Sequence, residues 1–156
     1  MDKLTRKLIR KLLRKYKTNC PFRLAHLLNI EVWFEDLGAG TRGFYRKTLR
    51  RKYIVIHSGL SESWQRIICA HELAHALLHP GISRFWIDEH TLFHAGKYER
   101  EANQFAVDLL IPDELLLDGM TIYEAAALCG VPPELAEFKK MPKRSLWCDD
   151  DSYLSF

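Results

Sequence analysis

Three histidines stand at even spacing in IICAHELAHALLHPG, residues 67–81: His71, His75 and His79, with Glu72 directly after the first. In a helix each residue turns by about 100°, so positions four apart differ by only about 40° and face the same way from adjacent turns. His71 and His75 are thus placed to pinch one metal ion between two imidazoles. Glu72 lies about 100° round from His71, where it can reach a water beside the ion without taking a ligand position. This is the HExxH pattern, whose chemistry pairs a metal that acidifies water with a carboxylate that takes the proton.

His79 does not complete the set. It sits about 6 Å further along the helix axis than His75, out of reach of an ion held by the first pair. The three-histidine arrangement HExxHxxGxxH also needs a glycine turn, which this sequence lacks. His79 reads as a helix C-terminal histidine, favoured there by the dipole. The third ligand must come from another element, and KYEREANQFAVDLLI, residues 97–111, offers Glu99 and Glu101. Ala102, Phe105, Ala106 and Leu109 mark its buried side. Glu99 flanks that side, and Asn103 follows four residues later, where an amide can orient a ligand from behind. Glu101 lies about 160° away on the wheel and is more peripheral, so Glu99 is the expected ligand. Two imidazoles and one carboxylate suit a single Zn²⁺. Attack on a carbonyl also calls for a second donor to the oxyanion, for which His57, His90, His94 and Tyr98 are candidates.

These residues need elements to hold them. SESWQRIICAHELAHALLH is apolar at helical spacing, with Ser61 or Ser63 as cap and Pro80-Gly81 as stop. The second long helix stops at Pro112. Upstream, IEVWFEDL, FYRKTL and KYIVIH read as three short strands of a mostly antiparallel sheet. KLTRKLIRKLLRKY is a basic amphipathic helix with Leu4, Leu8, Leu12 and Leu13 on one stripe, and CPFRLAHLLN is a second helix with Pro21 in its first turn. Residues 82–96 are a loop, whose Phe85, Trp86, Ile87, Leu92 and Phe93 suit a substrate cleft or a small satellite core. PDELL and TIYEAAALCG are short helices. The expected division is a basic N-terminal helix (1–19), a catalytic domain (20–118), a small C-terminal helical segment (119–142) and an acidic, mobile tail (143–156).

Charge is uneven. Residues 1–60 carry 15 Lys and Arg against 4 Asp and Glu, and the remainder carries 8 against 16. The basic half offers a nucleic-acid contact, but a solvated surface is the more common outcome. The four cysteines form no CxxC pair and no zinc-finger spacing, which fits reduced thiols in a cytoplasmic protein. No apolar run reaches membrane-spanning length, and the N-terminus lacks the pattern of a signal peptide.

RIICAHELAHALLH, followed after a loop by YEREANQFAVDLLIP, resembles the ImmA/IrrE family of zinc metallopeptidases. The likeness covers roughly residues 20–135 and rests on HELAH and on ExxAxxFAxxLLxP beginning at Glu99. It implies an α+β zincin-like fold, a short sheet packed on the HExxH helix with the Glu99 helix crossing it. It also implies zinc on His71, His75 and Glu99, catalysis by Glu72, and a helix-turn-helix repressor as protein substrate, whose cleavage relieves repression. TIYEAAALCGVPPELAEFKK is similar to the family's C-terminal segment, which imitates a helix-turn-helix. Pro132, Pro133, Glu134 and Glu137 make it a poor groove reader, so packing or substrate docking is expected there. Two rival functions are a non-catalytic zincin-fold regulator that binds a repressor or DNA, and a toxin- or immunity-type peptidase with another target.

Overall fold

Alternation and β-branching in KYIVIH produce β3 (Lys52–His57), whose Ile54, Val55 and Ile56 are all buried. A strand buried on both faces belongs in the middle of a sheet. β1 (Glu31–Glu35) and β2 (Gly43–Lys47) flank it, in the order β1-β3-β2. The computed structural model describes residues 2–81 and 96–143. In it β2 pairs antiparallel with β3 (Phe44 opposite Val55), whereas β1 pairs parallel (Val32 opposite Ile54). The sheet is therefore mixed, with one pairing of each kind, and not mostly antiparallel as three successive strands suggest. Residues 36–42 carry the chain past the β3 position to the far edge, and the β2–β3 hairpin folds back into the gap.

α3 (Glu62–Leu78) packs on this sheet. Ser61 caps it, its hydroxyl accepting from the Trp64 N–H at 3.4 Å. Every residue from Ile67 to His75 is buried, so the middle of α3 is enclosed all round, not merely on one stripe. Such enclosure needs close neighbours. A Cβ on Gly43 of β2 would lie 2.5 Å from Ile68 Cγ2 and 2.8 Å from the Val55 carbonyl oxygen. We expect Gly43→Ala to cost about 1–3 kcal/mol of stability through overpacking. Denaturant titration checks this, and an unchanged midpoint would count against close β2–α3 contact.

α4 (Lys97–Leu110) covers another side of α3, in the most extensive helix–helix contact among the described residues. Ala70 and Ala74 on α3, and Ala102 and Ala106 on α4, are buried and small, which lets the backbones approach closely. α1 (Asp2–Tyr16) packs on α4. Its buried face is Thr5, Ile9 and Leu12, with Leu8 and Leu13 partly covered, while Leu4 is 63% exposed. The expected leucine stripe is thus turned toward Ile9. α2 (Pro21–Leu27) also packs on α3, and Asn29 at φ 57° ends that turn in the left-handed conformation common after helices.

Past Pro112 come α5 (Asp113–Leu117), α6 (Ile122–Leu128) and α7 (Pro133–Ala136). α6 begins with a capping box, in which the Thr121 N–H and hydroxyl both donate to Glu124 and hold its carboxyl below the usual range. α7 is a single turn that buries Leu135 and Ala136. Beyond it the buried Lys139 ammonium lies 3.2 Å from Asp108 of α4 and 2.6 Å from Asp113. Burial pushes the Asp108 carboxyl up, against the pull of Lys139. This clasp ties the C-terminal segment to the helix that bears Glu99. No described helix is long and apolar enough to cross a membrane.

Candidate metal centre

Where α4 begins, its first turn faces the second half of α3. His71 and His75 project from adjacent turns, as their spacing of four requires, and Glu99 comes from α4 to meet both. His71 Nε2 lies 3.0 Å from Glu99 Oε2, and His75 Nε2 lies 3.4 Å from Glu99 Oε1. The two Nε2 atoms are 3.2 Å apart. All three side chains are buried, and their donor atoms lie within 4.8 Å of one another. Among the described residues this is the one cluster of three or more His, Cys, Asp and Glu side chains so arranged.

The donor set fits a divalent cation. Asn103 Oδ1 lies 2.9 Å from His71 Nδ1. An amide oxygen only accepts, so His71 carries its proton on Nδ1 and turns a bare Nε2 lone pair toward Glu99 and His75. Two nitrogens and a carboxylate gathered in a buried site of this kind are a donor set suited to a metal ion. Glu72, next in the chain after His71, is also buried.

Of the side chains considered for an oxyanion donor, His90 and His94 lie outside the described residues, as do the aromatic loop residues 85–93. Tyr98 is 41% exposed, with its ring edge-on to His79 at 4.8 Å between centroids. His57, at the end of β3, accepts from the Leu37 N–H at 3.1 Å and so braces the chain leaving β1. Cys20, Cys69 and Cys129 are free thiols, and burial raises the Cys69 pKa, as suits a packed thiol. Cys148 lies outside the described residues.

His79 and Glu101 were undervalued by sequence reasoning. His79 does end α3, its N–H bonded to the His75 carbonyl at 3.1 Å, but its ring is buried rather than solvated. Its Nδ1 lies 3.1 Å from His75 Nδ1, and its Nε2 lies 2.8 Å from Glu101 Oε2. The signal was in the spacing. His79 lies four residues past His75 on the same side of the helix, and its ring meets His75 Nδ1, the nitrogen turned away from Glu99.

Comparison with known proteins leads to the same place. Residues 25–140 match the family model Peptidase_M78, described as the IrrE N-terminal-like domain. The chain is 42% identical over 137 residues to "Uncharacterized immunity region protein 2" of Bacillus phage phi105, covering 85% of this chain and 87% of the relative. It is 23% identical over 137 residues to "Metallopeptidase ImmA" of Bacillus subtilis (strain 168), covering 84% and 80%. The α+β architecture, the buried His-His-Glu cluster and a family match over most of the chain agree: the protein belongs to the Peptidase_M78 (ImmA/IrrE) metallopeptidase family.

Proposed function

We propose that the protein is a zinc-dependent endopeptidase that cleaves a helix-turn-helix repressor and so relieves repression. The observation that carries this reading is the buried meeting of His71, His75 and Glu99, with the buried Glu72 next to His71 in the chain. His71, His75 and Glu99 would hold one zinc ion, which supplies Lewis acidity toward water and the scissile carbonyl. Glu72 acts as general base and takes a proton from the attacking water. The water oxygen bonds to the carbonyl carbon, the carbon–nitrogen bond breaks, and Glu72 returns the proton to the leaving amine. Asn103 holds the His71 ring in its working tautomer.

The repressor as substrate draws support from the phage relative, whose name places it in an immunity region. The test is incubation of the zinc-loaded protein with a cognate helix-turn-helix repressor, read by mass spectrometry. The expected result is one or a few defined cuts, stopped by a zinc chelator and restored by added Zn²⁺. A repressor left intact by the zinc-loaded protein contradicts the substrate assignment.

A further inference from the structure

We propose that His79 and Glu101 form a positioning pair that holds His75 in its metal-binding tautomer and orientation. This rests on the reading of His71, His75 and Glu99 as metal ligands. The two imidazoles of that site have different supports. His71 leans on the Asn103 amide at 2.9 Å, whereas His75 leans on a second histidine, which in turn leans on a carboxylate.

The proton positions follow by elimination. A carboxylate only accepts, so His79 donates from Nε2 to Glu101 Oε2 at 2.8 Å. A singly protonated ring leaves Nδ1 bare, free to accept the Nδ1–H of His75 at 3.1 Å. His75 is left with a bare Nε2, the atom that faces Glu99 and His71. The reverse arrangement would place a proton on His75 Nε2 and remove a ligand lone pair.

The pair is built, not incidental. The His79 side chain is 4% exposed and that of Glu101 14%. The His79 ring is held on one side by His75, 5.2 Å away between centroids, and on another by Tyr98, 4.8 Å away. The His79 N–H caps α3 through the His75 carbonyl. Glu99 and Glu101 therefore divide the work of α4's first turns. One meets the two ligand histidines directly, and the other acts two imidazoles away.

Metal affinity, measured by competition with a chromophoric chelator, tests the proposal. His79→Phe keeps a ring against Tyr98 but offers no acceptor to His75. Outer partners of this kind are worth about ten- to hundredfold in metal affinity, and a loss in that range is expected. Glu101→Leu should lose affinity within the same range. His79→Gln and Glu101→Gln keep an acceptor oxygen and should recover part of the loss. Because Glu101 acts through His79, the double variant His79→Phe/Glu101→Leu should bind about as tightly as His79→Phe alone. The metal-free fold is followed by circular dichroism. The Glu101 variants give an independent answer, since that side chain is partly exposed and its replacement spares the core.

Wild-type affinity in His79→Phe and Glu101→Leu, or losses that simply add in the double variant, would overturn the positioning role. If those results came with stoichiometric wild-type binding that His71→Ala abolishes, the metal centre itself would stand. A wild-type protein that takes up no metal overturns both.

Discussion

Glu72→Gln is expected to lower peptide-bond cleavage by about 10²–10⁴-fold while leaving metal affinity close to wild type. That range is typical for loss of a general base, and it corresponds to about 3–5 kcal/mol of transition-state stabilisation. Glutamine is close in size and shape to glutamate, so the buried position beside His71 keeps its packing. What it loses is the capacity to accept a proton from water and return it to the amine. In the proposed mechanism Glu72 donates no electrons to the metal, so chelator competition should barely move. A variant that cleaves at the wild-type rate excludes Glu72 as the base. A variant that loses metal together with activity reassigns Glu72 to the ligand set.

Glu99→Ala should have the second large effect, and it should fall on binding. Among the described residues Glu99 is the carboxylate whose two oxygens face both Nε2 atoms, at 3.0 and 3.4 Å. Removing it leaves two imidazoles from one helix, with nothing from α4 to close the site. The expected loss of metal affinity exceeds the about ten- to hundredfold that follows loss of an outer partner, so Glu99→Ala should bind more weakly than any Glu101 variant. Cleavage should fall in parallel. Equal affinities for Glu99→Ala and Glu101→Ala would contradict the division of roles between the two glutamates.

Local features of the chain revealed the site-bearing elements because each depends on residues close in sequence. Ser61 and Pro80-Gly81 bracket α3, and Pro112 ends α4, so both helices could be placed within a residue or two. Spacing on a helical wheel then selected His71, His75 and Glu99, the three side chains that the fold gathers within 4.8 Å. What stayed hidden depends on how elements meet. The parallel β1–β3 pairing follows from where residues 36–42 lead the chain. The face that α1 buries is chosen by its docking on α4, which favours Ile9 and leaves Leu4 outside. His79 was discounted because it cannot reach the ion, and Glu101 because it lies off the Glu99 face. The second nitrogen of His75 faces His79 on α3 itself, and Glu101 reaches His79 only once α4 is laid across α3.

The resemblance to the ImmA/IrrE family and the helical geometry of HExxH lead to the same helix pair from different directions. The family match extends over residues 25–140 and so includes α6 and α7. The single-turn α7, with Leu135 and Ala136 turned inward, and the Lys139 clasp onto Asp108 make that segment a buttress for α4.

In the proposed site one metal ion sits between His71, His75 and Glu99. The most direct measurement is a crystal structure of the zinc-loaded protein with anomalous data at the zinc absorption edge. A single anomalous peak is expected at about 2.0–2.2 Å from His71 Nε2, His75 Nε2 and a Glu99 carboxylate oxygen. His79 should remain outside the coordination sphere, bonded to His75. A peak ligated by His79 or Glu101, or no peak at this cluster, would contradict it.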